Sequence, residues 1–272
     1  VRRGASLGRT RKRTVVVTLK TGRPVAVITG AARGLGRVTA LQFARAGYDV
    51  VVTARSARAN AHPSLPGTLE DVVQELEQIG VAALAVPADL AEAASIETIY
   101  QATTDRFGRC DVLINNAAYS PVQPLLEMSP SKWRAALTVN VWAPAALARL
   151  FLPDMVERGS GVVINVGSVA SVASVPRAAP YCVSKAALER LTEVIDDEIA
   201  GSGVITACVR IDERISSESD SLMRSLGVGA SSEPGQTSPE QYARALEWLT
   251  IQPALSGRTL TLAELWELGA MA

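Results

Sequence analysis

The sequence predicts an α/β fold: a single doubly wound domain in which a seven-stranded parallel sheet is flanked by helices. Three observations carry this. Seven short runs rich in Val and Ile recur along the 272 residues. Most are apolar throughout rather than alternating, the pattern of strands buried on both faces. Helix-length segments separate them, and βαβ alternation of this kind gives a sheet with right-handed crossovers. With 48% hydrophobic and 20% charged residues, the chain has enough apolar material for a full core. Disordered, collagen-like and disulfide-rich classes do not fit that composition.

In chain order the expected strands are Pro24–Thr29 (PVAVIT), Asp49–Thr53 (DVVVT), Val81–Val86 (VAALAV), Asp111–Ile114 (DVLI), Gly161–Val166 (GVVINV), Val204–Val209 (VITACV) and Arg258–Leu262 (RTLTL). Helices are expected near 34–46, 68–79, 92–107, 131–157, 180–200 and 239–250. The fourth shows an apolar stripe of Trp133, Leu137, Val141, Ala148 and Phe151, and the fifth one of Leu188, Leu191, Ile195 and Ile199; such stripes face a core more often than a partner. Two segments break the rhythm. Ser56–Gly67 reads as a polar loop, and the Ser-rich stretch Asp212–Pro239 is too long for a simple connection. Because the latter follows the C-terminal end of the sixth strand, where such sheets bind ligands, a substrate lid is expected there, with a plain surface excursion as the other reading.

The 27 basic groups balance 27 acidic ones, but unevenly. Residues 1–22 hold seven bases (Arg2, Arg3, Arg9, Arg11, Lys12, Arg13, Lys20) and no acid, so residues 23–272, with 20 bases and 27 acids, carry a net −7. A body of that sign has no basic field for a phosphate backbone, which argues against nucleic acid as a partner. No apolar run approaches the ~18 residues of a membrane span, so no membrane partner is expected. The basic tail reads as a disordered extension. It has the Arg content of a transit peptide without a clear amphipathic helix, and the opening Val raises the alternative of a start placed upstream of the true one. Cys110, Cys182 and Cys208 are odd in number, widely spaced and set in apolar stretches. This suggests neither disulfides nor a zinc site and fits a reducing cytoplasm.

Thr29-Gly30-Ala31-Ala32-Arg33-Gly34-Leu35-Gly36 follows the first strand directly and opens a helix. Small residues there allow a tight turn, so a pyrophosphate can reach the backbone amides and the positive end of the helix. The bland reading is a βα turn whose glycines only permit close packing. The second strand ends in Thr53-Ala54-Arg55-Ser56. In dinucleotide-binding folds an acid about 20 residues beyond the loop binds the NAD ribose, whereas an Arg accommodates the NADP 2′-phosphate. No acid stands at this strand end. Arg55, with Arg33 as a second cation, therefore favours NADP over NAD, since guanidinium forks suit a phosphate monoester.

The spacing TGxxxGxG resembles that of the short-chain dehydrogenase/reductase family, and the resemblance runs from about Arg23 to the C-terminus. It implies a Rossmann-type domain over 23–272 and an NADP-dependent oxidoreductase. By the same resemblance, Asp89 and Leu90 after the third strand lie beside the adenine. Asn115-Asn116-Ala117-Ala118 resembles the family's NNAG, with Ala118 in place of Gly, which puts Asn116 and Ala117 where the cofactor crosses; an Asn pair is equally at home in a simple turn.

Tyr181-Cys182-Val183-Ser184-Lys185 is YxxxK at a helix start, a spacing that puts phenol and ammonium on one face. With five Tyr and four Lys, chance supplies about 0.07 such pairs, so the match is moderately specific. Ser168 lies thirteen residues upstream, just beyond the expected fifth strand, and Asn140 inside the preceding helix. The set resembles the family's Asn-Ser-Tyr-Lys tetrad. A free phenol titrates near ~10, and an adjacent ammonium favours its charged form. The resemblance makes Tyr181 the acid–base group, Ser168 the holder of the substrate oxygen, and Lys185 the partner of both Tyr181 and the nicotinamide ribose, so that both also touch the cofactor. The amide that would bond the Asn140 carbonyl in a helix belongs to Pro144, which has no N–H. That carbonyl is free to hold a relay water, or Pro144 merely bends the helix.

The resemblance also implies a homodimer or homotetramer. His62, in the polar loop, is read as solvated, and no metal site is expected. The chain departs from the family after the sixth strand, where Ile211-Asp212-Glu213-Arg214 replaces the usual Pro-Gly, and at Leu262-Ala263-Glu264-Leu265-Trp266 in place of VDGG. Charges at 212–214 are expected to face the nicotinamide and to favour neutral ketones or aldehydes over keto acids. The expected function is hydride transfer between NADPH and a small carbonyl or alcohol. The alternative is a catalytically weak NADP-binding sensor or scaffold of the same fold.

Overall fold

The computed structural model describes residues 22–55, 67–213, 215, 221, 225 and 237–270. The expectations for the basic tail, for the polar loop with His62, and for most of the Ser-rich stretch lie outside the described residues.

Seven strands form one parallel sheet: β1 (Val25–Thr29), β2 (Asp49–Ala54), β3 (Ala83–Pro87), β4 (Val112–Asn115), β5 (Gly161–Ser168), β6 (Val204–Ile211) and β7 (Arg258–Thr261). Their order is β3-β2-β1-β4-β5-β6-β7. Each of the six pairings is parallel. The chain works outward from β1 to β3, then returns to place β4 on the other side of β1. That reversal opens a crevice at the C-terminal ends of β1 and β4, where doubly wound sheets bind ligands.

Alternate residues of the apolar runs feed two cores. Ile28, Val50, Val52 and Ile114 pack on one face with Phe43 and Leu246; Val27, Val51, Leu113 and Val163 pack on the other with Ile99, Leu147 and Phe151. Burial on both faces is the physical reason the runs are continuous. Among the described residues the continuous α-helices are α1 (Gly34–Arg45), α2 (Leu69–Ile79), α3 (Ala93–Phe107), α4 (Pro130–Leu137), α5 (Ala143–Arg158), α6 (Ala179–Glu198), α7 (Pro239–Leu249) and α8 (Leu262–Glu267).

The expected helix at 131–157 is not continuous. A single π turn, Thr138–Trp142, joins α4 to α5, and the Ala143 N–H reaches back to the Thr138 carbonyl. Pro144 supplies no N–H to the next carbonyl in line, so wider bonding relieves the ladder there. Pro130–Arg158 is long and apolar enough to cross a membrane by length and composition alone. Its Ala143, Leu147, Phe151 and Met155 are buried against the sheet, which makes it a core helix of this fold.

Two expected strand ends also move. Strand β6 runs two residues past Val209, pairing Arg210 with Gly167 and Ile211 with Ser168. Ser168 is therefore the last residue of β5 rather than a loop residue beyond it. Leu262, expected at the end of β7, instead begins α8, because Thr261 and Glu264 form a capping box around its first turn.

Candidate active site

The glycine loop is shaped by β4. The Thr29 hydroxyl accepts the N–H groups of Asn116 and Ala117, each at 3.0 Å, and the Asn116 amide donates to the carbonyls of Thr29 (2.8 Å) and Gly30 (3.3 Å). Gly30 has φ +69°, and a Cβ there would lie 2.8 Å from the Ala117 Cα; one on Gly36 would lie 2.4 Å from the Gly30 carbonyl oxygen. Only glycine fits either place. Leu35, partly buried, packs on the core behind the loop. Helix α1 begins at Gly34 with no side-chain cap and no acid in its first turn. Its leading amides and dipole thus suit an anion. This crowded, uncapped cradle fits a pyrophosphate by its own geometry.

Around it, the Arg33 guanidinium donates to the Gly67 carbonyl at 3.2 Å. Arg55 is exposed at the end of β2. Asp89 accepts the Ala91 N–H at 3.0 Å and so shapes the turn into α3, while the Leu90 side chain is buried in the core.

At the start of α6, Lys185 is buried and its ammonium donates to the Val166 carbonyl at 2.6 Å. The same Nζ lies 5.6 Å from the centroid of the Tyr181 ring. The bond to β5 fixes the ammonium two residues before Ser168. The Ser168 hydroxyl accepts the Ala170 N–H at 3.2 Å. Asn140, in the π turn, spends its side chain on structure: Oδ1 accepts the Tyr119 N–H at 2.7 Å, and Nδ2 donates to the Tyr119 carbonyl and the Ser184 hydroxyl, both at 2.9 Å. Ser184 in turn donates to the Tyr181 carbonyl at 2.8 Å. Asn140 is thereby tied to both the loop after β4 and the first turn of α6.

Sequence reasoning missed a second buried network. Glu189, one turn beyond Lys185, accepts two hydrogen bonds from Arg210, and Ser171 bridges Glu189 to the Ser168 carbonyl. That carboxylate holds the Arg210 guanidinium above its ordinary range. The signals were present: Glu189 continues the four-residue spacing of Tyr181 and Lys185, and Arg210 interrupts an apolar strand. Asn115, Asn165 and Thr192 form a further buried chain under the site. Burial pushes the neighbouring Cys208 thiol up to about 12.

The acids after β6 have partners within the chain. Asp212 accepts the Leu262 N–H at 3.1 Å at the start of α8, and the Glu213 carboxylate takes the Thr237 hydroxyl. Both carboxylates accept from neighbouring elements; Arg214 lies outside the described residues. Among the described residues, no three His, Cys, Asp or Glu side chains gather as metal ligands.

Residues 24–211 match the short chain dehydrogenase family. The chain is 31% identical over 197 residues to the 3-oxoacyl-[acyl-carrier-protein] reductase FabG of Staphylococcus aureus, covering 72% of this chain and 77% of that one. Among solved structures it resembles a protein described as an NAD(P)-dependent gluconate 5-dehydrogenase from Beutenbergia cavernae, with bound NADP at low occupancy. The TM-score is 0.75 at 28% identity, over 90% of this chain and 97% of the other. A metagenomic short-chain oxidoreductase in complex with NADP gives a TM-score of 0.70 at 29% identity, over 87% and 96%. With the family's pattern matched over residues 24–211 and a 31% identical relative covered over 77% of its length, the chain belongs to the short-chain dehydrogenase/reductase family of oxidoreductases.

Proposed function

We propose that this protein is an NADPH-dependent carbonyl reductase or alcohol dehydrogenase with Tyr181 as its acid–base group. The observation that carries this reading is the buried Lys185 ammonium, held by Val166 and placed over the Tyr181 ring. Burying an ammonium costs several kcal/mol unless it is compensated. A carbonyl acceptor and an aromatic face compensate it in part, and at this place it stabilises negative charge developing on the phenol oxygen as a proton leaves. A sensor or scaffold has no use for that arrangement.

When bound, NADPH supplies the hydride. Gly30, Gly34 and Gly36 with the leading amides of α1 would hold its pyrophosphate, Asp89, Leu90, Asn116 and Ala117 would border its path along the strand ends, and Arg55 with Arg33 would take its 2′-phosphate. The NADP found in the two similar structures supports this preference. In reduction Tyr181 gives its proton to the substrate oxygen, which Ser168 holds, and in oxidation it takes one. The Asn140 carbonyl, which Pro144 deprives of an α-helical N–H partner, would accept a bond from water on the path that reprotonates Tyr181. In this reading the enzyme works in the cytoplasm as a homodimer or homotetramer.

The test is loss of 340 nm absorbance when purified protein and NADPH meet a carbonyl panel, alongside fluorescence titration with NADPH and NADH. Turnover with tighter binding of NADPH is expected. Protein that binds neither cofactor, or that binds NADPH and reduces nothing, refutes the reading. Sedimentation of the purified protein reads the oligomer.

A further inference from the structure

Two loops rise from the C-terminal ends of β4 and β5 beside Ser168 and Tyr181, and both are anchored. The Asn140 side chain grips the backbone of Tyr119 in the first. The second starts at Val169, the residue after Ser168. The Gln123 N–H of the first donates to the Arg177 carbonyl of the second at 2.8 Å, tying the loops together. Arg177 has φ +69°, an unusual conformation for a residue with a side chain. A tied, conformationally strained rim of this kind marks walls whose shape is held in place.

Those walls are apolar where they meet water. Of the ten large hydrophobic side chains exposed among the described residues, four lie here: Leu125 (62% exposed), Leu126 (101%), Val169 (39%) and Val172 (66%). Residues 117–128 and 169–180 carry only two charges, Glu127 and Arg177. Two polar side chains of the walls have other work, Gln123 accepting from Lys132 at 3.1 Å and Ser171 serving Ser168 and Glu189, and the Ser120 hydroxyl is buried without a hydrogen-bond partner among the described residues. Just after β6, the carboxylates of Asp212 and Glu213 accept from Leu262 and Thr237. Clustered apolar exposure around convergent polar groups is the signature of a ligand site for an apolar body with one polar reacting group. A polyol would leave its hydroxyls unpaired against these walls, which costs affinity.

We propose that the site selects an uncharged, largely apolar ketone or aldehyde, with an aryl or branched alkyl body between the two walls, over ketoses and keto acids. This rests on the functional reading above and adds the substrate class to it. Neutrality here comes from the walls.

The test compares initial rates of NADPH oxidation with acetophenone, phenylglyoxylate and fructose, using wild-type protein and the variants Leu126→Ser and Val172→Ser. Both side chains are exposed, so the variants fold. The expected kcat/KM for acetophenone exceeds that for either competitor by at least ~100-fold. Each variant raises the acetophenone KM roughly tenfold, the scale of losing one buried aliphatic contact, with kcat within about twofold and NADPH affinity unchanged. Fructose or phenylglyoxylate as the best substrate overturns the proposal, as do variants with an unaltered KM, or NADPH binding without acetophenone reduction. Protein that fails to bind NADPH at all overturns the functional reading itself, and the substrate class falls with it.

Discussion

Glu189 and Arg210 meet through two hydrogen bonds, 2.8 Å from Nε and 2.7 Å from the terminal nitrogen, joining α6 to β6 near Ser168. Both side chains are largely buried, at 11% and 22% exposure. The pair ties the strand that extends alongside Ser168 to the helix that carries Tyr181 and Lys185. Removing one partner strands the other charge in a poorly solvated place. Arg210→Met is expected to cost about 3 kcal/mol and, at this chain length, to lower Tm by roughly 6–12 °C. The double variant Arg210→Met/Glu189→Gln is expected to recover more than half of that loss in thermal unfolding. A double variant no better than the single one would show that the pair contributes packing alone.

Tyr181→Phe keeps the ring and removes the proton. Turnover is expected to fall at least ~100-fold, the low end for general acid catalysis, with NADPH affinity little changed. Steady-state rates and a binding titration check both halves, and retained turnover would falsify the role given to Tyr181.

Arg55 is exposed and makes no hydrogen bond or ion pair among the described residues, so it can change without disturbing the sheet. In Arg55→Asp the new carboxylate repels a 2′-phosphate and accepts from a 2′-hydroxyl. The ratio of kcat/KM for NADPH to that for NADH is expected to invert. A wild-type protein that already prefers NADH would remove the basis for assigning the 2′-phosphate to Arg55 and Arg33.

Pro144→Ala restores an N–H below the Asn140 carbonyl and draws the π turn toward α geometry. Occupying that carbonyl is expected to slow proton delivery several-fold while NADPH affinity stays within about twofold. The solvent isotope effect on kcat separates this outcome from a general distortion: it should rise in the variant. An unchanged rate and isotope effect would leave Pro144 as a bend and nothing more.

What the sequence determined by itself was everything that depends on neighbours along the chain. Strands buried on both faces need apolar side chains at successive positions, so β1, β2 and β6 are visible as continuous runs. The glycine cradle is legible because Gly30 and Gly34 take positive φ and a Cβ on Gly36 would meet the Gly30 carbonyl, although the Ala117 backbone that crowds Gly30 is brought there by the sheet. The spacing of Tyr181 and Lys185 follows from the pitch of one helix. The lost N–H at Pro144 is equally local, although its consequence, a π turn instead of a bent helix, depends on how the surrounding helix packs.

Only the tertiary structure decided the rest. Asn140 reaches Tyr119 and Ser184, which lie 21 and 44 residues away. Arg210 finds Glu189 because β6 packs beside α6, and the carboxylates of Asp212 and Glu213 accept from Leu262 and Thr237. No periodicity encodes such pairings. They are set by strand order, since a parallel sheet brings together residues that are distant in the chain, and a buried polar group bonds to whichever partner that order puts within reach.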